Sequence, residues 1–358
     1  MSIYDLLTEH AISVRDISKQ YQISNSTLAE TFSRPVDTWP VKILRATAEQ
    51  LELPVDDLID KMVTNEQPLT PFIKWVGGKR QLLGKIDELL PSHYNTYFEP
   101  FLGGGAVLLH LKPNRAVVND LNEELTNTWR TVKENTQELR ELLRVHQGNN
   151  SKEYFLDLRS VDRDGRIEKF SNIERAARFI YLNKTAFNGM WRVNSKGQHN
   201  VPYGKYKNPK IDNEMIQLVA DYLNSNDITI KTGDYRDSLA TATRGDFVYF
   251  DSPYDVVSKT AAFTSYTADG FNKDDQEILR DVYASLTAKG VKVMESNADT
   301  EYINELYLNI PGVEIHKVSA KRMINSKGNK RGPVGELLIT NYKTNKLDTQ
   351  LELPIDIK

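Results

Sequence analysis

The sequence predicts an α/β protein: a mostly parallel sheet with helices on both faces, a mainly helical insertion, and a small all-α domain in front. Three observations predict it. From Tyr97 onward, short apolar runs rich in β-formers alternate with helix-patterned stretches, the mark of a parallel sheet. That rhythm breaks at residue 144 and resumes at Ile228. Residues 1–64 carry helix signals alone.

In the N-terminal unit, Ser13 to Asp16 is a capping-box pattern that places Ile17 and Tyr21 on one helical face. A turn around Ile23 and Ser24 leads into a second helix, with Ser26 and Thr27 near its start and Leu28 and Phe32 inward. Thr38-Trp39-Pro40 begins a third helix bearing Ile43, Leu44, Ala48 and Leu51, and Pro54 begins a fourth. This resembles the helix-turn-helix module of bacterial repressors. A helical bundle for protein contacts fits equally, because residues 1–64 hold six Lys/Arg against ten Asp/Glu. A net charge of −4 there disfavours strong phosphate binding. Residues 64–71 read as a linker.

Beyond the linker the pattern predicts strands at Tyr97–Phe101 and Ala116–Asn119, a helix at Ala106–Leu111 and one long helix at Glu123–Leu143. Further strands are expected at Ile228–Lys231, Phe247–Phe250, Val291–Glu295 and Glu314–Val318. The expected division is 1–64 helical domain, 71–146 and 226–343 catalytic domain, 147–225 recognition insertion and 344–358 tail.

Totals exclude several classes. There is no cysteine, so disulfides, iron–sulfur clusters and thiolate zinc are out, and no metal site is expected. No apolar run approaches the ~18 residues of a membrane span, and the N-terminus lacks a signal-peptide pattern. We expect a cytoplasmic protein. A net charge of −3 argues against a globally basic nucleic-acid coat, so DNA contact must come from local patches.

Four segments carry chemistry. Phe72 to Lys79 contains Trp75, paired glycines Gly77 and Gly78, and Lys79: a flat apolar face, a permissive backbone and a charge suited to a carboxylate. By itself it is equally a Gly-Gly turn before a helix. Phe98 to Gly105 places Phe101, Gly103 and Gly105 between a strand and a helix, and Asp120 ends the next strand 15 residues later. An acid there suits ribose hydroxyls. The loop is not a dinucleotide fingerprint, so a nucleoside cofactor without pyrophosphate fits best; a structural loop with a capping Asp remains open.

The third segment is the core of the insertion. Residues 180–210 hold six Lys/Arg, no acid and five aromatics, supplying phosphate neutralisation, base-edge hydrogen bonds and stacking groups. Lys321 to Arg331 adds five cations and no acid, as a second patch or a surface hairpin. The fourth segment, Asp251-Ser252-Pro253-Tyr254, ends the strand Phe247–Phe250. A carboxylate accepting one N–H of an aromatic amine, with a main-chain carbonyl accepting the other, favours the pyramidal nucleophilic amine. Alone, it is also an ordinary strand ending in a Ser-Pro turn.

Together, in the order Lys-Trp-x-Gly-Gly-Lys, Phe-x-Gly-x-Gly, basic insertion, acid-x-Pro-Tyr, the segments resemble Dam-type DNA adenine-N6 methyltransferases of the α order. The resemblance covers about residues 71–343, including Phe263 to Tyr266 and Gly335 to Tyr342. It implies a Rossmann-like S-adenosylmethionine-dependent methyltransferase sheet with a target-recognition insertion, acting on double-stranded DNA. It places Trp75, Lys79, Phe101, Gly103, Gly105, Asp120 and Asp251 at the cofactor site, with Asp234 a weaker candidate. Asp251, the Ser252 carbonyl, Pro253 and Tyr254 would hold an adenine flipped from the duplex.

The family reads GATC, which implies Lys74, Phe187, Asn188, Met190, Arg192 and Tyr206 as the readers here. Lys207, Lys327 and Arg331 are the phosphate-contact candidates. Ser252 stands where the family has proline; the fixed φ is lost but the backbone carbonyl remains. The acid-first order favours adenine over cytosine-N4 chemistry. The resemblance also allows a cognate restriction endonuclease as partner and a bacterial or phage nucleoid setting. The rival from another class is a DNA-binding regulator that keeps the fold without turnover.

Overall fold

The computed structural model describes residues 3–32, 36–62, 68–255, 271–321 and 333–344. Phe263 to Tyr266, Lys327, Arg331 and the tail beyond Thr344 lie outside the described residues. The chain divides into two compact units, Met1–Pro68 and Leu69–Lys358.

The first unit is helical: α1 (Ile3–Glu9), α2 (Val14–Tyr21), α3 (Asn25–Phe32), α4 (Val41–Gln50) and α5 (Val55–Met62). The Asp16 carboxylate accepts from both the backbone N–H and the hydroxyl of Ser13, which fixes the start of α2. Gln22 takes a left-handed conformation (φ 53°) and turns the chain toward α3. Ile17, Leu28, Phe32, Trp39 and Leu58 close a core of their own. The α1 helix had no counterpart in the sequence reading, since its seven residues are too short for a periodic signal.

In the second unit, seven strands form one sheet among the described residues: β1 (Tyr97–Glu99), β2 (Arg115–Asp120), β3 (Asp227–Thr232), β4 (Phe247–Phe250), β5 (Lys292–Ala298), β6 (Glu314–Lys321) and β7 (Pro333–Thr340). Their order is β3-β2-β1-β4-β5-β7-β6. The β1–β2, β2–β3, β1–β4 and β4–β5 pairs are parallel, and β7 runs antiparallel to both neighbours. The chain steps outward from β1 through β2 to β3, then returns to β4 on the other side of β1. That reversal makes the carboxyl edge of β1 and β4 a topological switch point, where open α/β sheets bind ligands.

The helices are α6 (Leu83–Leu89), α7 (Ala106–Leu111), α8 (Glu123–Glu134), α9 (Thr136–Gly148), α10 (Lys152–Ser160), α11 (Asn172–Thr185), α12 (Glu214–Ser225), α13 (Tyr235–Ser238), α14 (Lys273–Ala288) and α15 (Glu301–Leu308). Alternate strand residues feed two separate cores. Tyr97, Val118, Phe247, Tyr249 and Met294 point into one, with Trp129 of α8 and Phe179 of α11. Phe98, Val248, Phe250, Val293 and Ile339 point into the other, with Tyr283 of α14 and Tyr307 of α15. Both faces are covered, which is why β4 reads as an unbroken apolar run rather than an alternation.

The expected long helix Glu123–Leu143 is two helices. Asn135 leaves helical geometry (φ −135°, ψ 43°), ending α8 and starting α9. An Asn-Thr pair offers local side-chain bonds that compete with the helix. The Thr136 hydroxyl indeed donates back to the Val132 carbonyl at 2.7 Å. Residues 147–225 do not enclose a core of their own: Phe155, Leu158, Phe179 and Ile216 belong to the same apolar cluster as Tyr97 and Phe247.

Candidate active site and nucleic-acid interface

The carboxyl ends of four adjacent strands each deliver an acid. Glu99 ends β1, Asp120 ends β2, Asp234 follows β3 and Asp251 follows β4. Register places these ends side by side, since Glu99 pairs with Val118 and Thr232 with Asp120.

Asp251 forms an ion pair of 2.5 Å with Lys79, which is only 6% exposed. The Lys79 ammonium also donates to the Gly77 carbonyl at 2.7 Å and sits 4.7 Å from the centre of the Tyr254 ring. Burial pushes the Asp251 carboxyl up, and the Lys79 ammonium opposes that shift. A carboxylate oriented by one cation in so enclosed a place is a preorganised hydrogen-bond acceptor.

The loop after Asp251 is held by groups that the sequence reading did not single out. Gln276 of α14 donates to the Pro253 carbonyl at 2.9 Å, and Asn297 of β5 donates to Gln276 at 3.0 Å. Asn297 also donates to Glu295, which accepts from the Tyr307 hydroxyl at 2.5 Å. The Tyr254 hydroxyl donates to Glu336 of β7 at 2.9 Å. Ser252 is buried, and its hydroxyl has no hydrogen-bond partner.

Glu99 is 2% exposed and accepts from the Tyr97 hydroxyl at 2.9 Å. Burial raises its pKa to about 8, with the Asp251 charge adding to the rise. The shift favours the protonated, neutral acid. Glu295, also fully buried, is raised to about 7. The only available signal for these acids was their position inside apolar strand runs, where a carboxylate is costly without partners.

The glycine loop is shaped by tryptophans. A Cβ on Gly103 would fall 2.7 Å from Trp75, and one on Gly105 would fall 2.6 Å from Trp129; both glycines also have positive φ, 50° and 66°. Of the amino-acid types, glycine alone tolerates both conditions at once. The Trp129 indole N–H donates to the Gly103 carbonyl at 3.2 Å, and the Trp75 ring stacks on Phe179. Phe101 lies 5.0 Å from Tyr235, centroid to centroid.

Asp120 accepts the backbone N–H of Gly103 at 2.9 Å with one oxygen and that of Asn122 at 2.9 Å with the other. Each carboxylate oxygen retains a lone pair, so a ribose diol still finds acceptors there. This donor and acceptor set fits S-adenosylmethionine. Asp234 is more committed: it caps α13 through the Arg236 N–H and pairs with the Arg236 guanidinium at 2.6 Å. Those bonds hold its carboxyl below the usual range.

In the insertion, Phe187 opens a 3-10 turn (Phe187–Gly189) and is 52% exposed. Its backbone N–H donates to the Pro202 carbonyl at 2.8 Å, and Ala186 bridges to Tyr203, which ties two loops together. Asn188 is exposed in the left-handed region (φ 57°), and Met190 is half-buried against the core. Arg192 is exposed and donates to Asn200 at 2.7 Å. The Lys74 ammonium lies 5.3 Å from the centre of the Tyr206 ring. Lys207 is exposed. Behind them, burial and the nearby cations Lys74 and Arg80 push Lys184 down to about 8.

Among the described residues no group of His, Cys, Asp and Glu is arranged to hold a metal, and no helix is long and apolar enough to cross a membrane. Residues 75–324 match the family described as D12 class N6 adenine-specific DNA methyltransferase. The chain is 53% identical over 279 residues to the type II methyltransferase M1.LlaDCHI of Lactococcus lactis subsp. cremoris, covering 78% of this chain and 97% of that protein. It is 40% identical to the type II methyltransferase M.MjaIII of Methanocaldococcus jannaschii, covering 76% and 99%. It is 35% identical to the DNA adenine methylase of Vibrio cholerae, covering 75% and 94%. The sheet order, the acids at its carboxyl edge and these similarities agree: the chain belongs to the D12 class N6 adenine-specific DNA methyltransferases, which use S-adenosylmethionine as methyl donor.

Proposed function

We propose that this protein methylates N6 of adenine within GATC in double-stranded DNA, after turning the target base out of the duplex. The observation that carries the reading is Asp251, held by Lys79 at the switch point beside the Ser252-Pro253 backbone. Asp251 accepts one N–H of the amine and the Ser252 carbonyl accepts the other. The Pro253 carbonyl is already engaged by Gln276, which leaves the preceding carbonyl for this task. The Tyr254 ring stacks on the extruded base.

In this reading the donor lies along Trp75, Phe101, Gly103, Gly105 and Asp120, with Lys79 and Asp251 toward its charged end and Asp234 as a lesser contact. S-adenosylmethionine supplies an electrophilic methyl group on a sulfonium. Lys74, Phe187, Asn188, Met190, Arg192 and Tyr206 read the duplex, with Phe187 as the wedge. Lys207 contacts phosphate, as Lys327 and Arg331 would. The crowding of Lys184 with Lys74 and Arg80 supports a phosphate nearby, since an anion relieves it.

Residues 147–225 serve as the recognition insertion, and residues 1–64 as a helix-turn-helix-like accessory, supported by α2 and α3 flanking the turn at Gln22–Ser24. We take the type II names of two relatives as the reason to propose a cognate restriction endonuclease, and a DNA substrate as the reason to propose a cytoplasmic, nucleoid setting. A regulator without turnover rests on Ser252 and the helix-turn-helix-like unit, and the buried Lys79–Asp251 pair supports turnover instead.

The test is methyl transfer from labelled donor to plasmid DNA, followed by mass spectrometry and methylation mapping. N6-methyladenine confined to GATC is expected. N4-methylcytosine as sole product would overturn the chemistry, and marks at another site would overturn the specificity.

A further inference from the structure

Asn183 lies in the last turn of α11 and is completely buried. Its amide is used on three sides. The oxygen accepts the Lys74 backbone N–H at 2.9 Å, and the nitrogen donates to the Lys74 carbonyl at 2.8 Å and the Gly189 carbonyl at 3.1 Å. The first two bonds grip the backbone of Lys74 as a neighbouring strand would. The third reaches the turn that carries Phe187.

Each gripped segment leads to a different half of the site. Trp75 follows Lys74; its indole packs against the position of Gly103 in the glycine loop and its Cβ against that of Gly104. On the other side, a Cβ on Gly189 would fall 2.3 Å from Lys74 Cδ, so the lysine side chain crosses the turn directly. The same ammonium lies over the Tyr206 ring. A buried amide with all these bonds made resists independent movement of either segment, because a shift of one leaves backbone groups unpaired.

We propose that Asn183 is a positioning residue that couples occupancy of the cofactor site to engagement of the duplex. It touches neither donor nor DNA. The donor acts on the glycine loop and Trp75, the duplex acts on the Phe187–Gly189 turn, and Asn183 makes the two adjust together. Linkage requires the effect to be reciprocal: donor binding tightens DNA binding by the same factor as DNA tightens donor binding. The inference rests on the assignment of the two half-sites made under Proposed function.

The test is calorimetric titration of the full chain with S-adenosylhomocysteine, which has no methyl to transfer, alone and with saturating GATC duplex. In the wild type the duplex should tighten binding by about 5-fold or more, within the usual range of site-to-site coupling. Asn183→Ser and Asn183→Asp should lower that ratio toward one while each ligand alone still binds. A merely structural role would lower the melting temperature and leave the ratio unchanged. Should those variants not fold, Asn183→Gln asks the same question, since it keeps an amide and shifts it by one methylene relative to the Lys74 and Gly189 backbone. A wild-type ratio of one, or variants that retain the wild-type ratio, would overturn the coupling. Failure of either ligand to bind the wild type by itself would instead overturn the assignment of the half-sites.

Discussion

The edge of the sheet proposed to catalyse and the loops proposed to read DNA handle charge in opposite ways. At the sheet edge, Asp251, Lys79, Glu99 and Glu295 are enclosed and bonded to Lys79, Gly77, Tyr97, Tyr307 or Asn297 before any ligand arrives. In the recognition loops, Phe187, Asn188, Arg192 and Lys207 face solvent, and Lys184 is pressed toward other cations. A methyl-transfer site needs dipoles that are already oriented when charge develops. A DNA reader needs groups whose best partners are phosphates and base edges, and therefore leaves them exposed.

The largest effect should come from the catalytic side. Asp251→Ala should lower kcat by about 100-fold or more, as loss of a preorganised acceptor does. Calorimetry with S-adenosylhomocysteine should find cofactor affinity largely kept. Near-normal turnover would mean that another group orients the amine, and the contrast between the two regions would fail at its centre.

Arg192→Ala should leave turnover at the best site largely intact and relax discrimination at one base pair, by about 1–3 kcal/mol. Competition between single-base variants of the duplex measures this. Uniform weakening across all sequences would reassign Arg192 to the phosphate backbone.

Glu99 sharpens the comparison through pH. Its folded pKa, about 8, lies above the ordinary glutamate value of 4.5, so the folded state binds the extra proton between them. Stability is then lost as pH rises through that window, with a slope of up to about 1.4 kcal/mol per pH unit. Urea unfolding at pH 6 and pH 9 should show a larger decline for the wild type than for Glu99→Gln. Equal declines would show that Glu99 is ionised in the folded protein.

Ser252→Pro tests the one departure in the catalytic motif. It removes a buried hydroxyl without a partner, a group whose burial typically costs about 1–3 kcal/mol. Activity should be kept or raised, with adenine still the base modified. A collapse of activity would show that the loop depends on the serine backbone or hydroxyl.

The smallest effect belongs to Lys207→Ala. One lost phosphate contact should weaken binding to all sequences alike and reduce the slope of log affinity against log salt by about 0.9. An unchanged slope would remove Lys207 from the interface.

Much of this was legible without coordinates, for local reasons. The strands Phe247–Phe250 and Asp227–Thr232 announce themselves through consecutive apolar and β-branched residues, and the start of α2 through its capping box. The acids at strand ends and the glycines between strand and helix are readable because they punctuate those runs. The break at Asn135 was missed because apolar periodicity continues across it, into Leu139 and Leu143. Strand β7 was missed as a strand because its partners, β5 and β6, are distant or separated from it by a long connection.

What the sequence alone determined was most of the inventory: the majority of the strands, the order of the motifs, the family pattern and the residue types that such chemistry requires. These follow from local periodicity, turn chemistry and the sequential order of the motifs. Only the tertiary structure decided which residues meet. That Glu336, 82 positions away, takes the hydroxyl of Tyr254, that Gln276 secures Pro253, and that Asn183 grips Lys74 across 109 positions depends on sheet order and packing. Hydrogen bonds between distant segments leave no periodic trace in a single chain, because a buried amide or carboxylate is specified by partners that folding alone brings near.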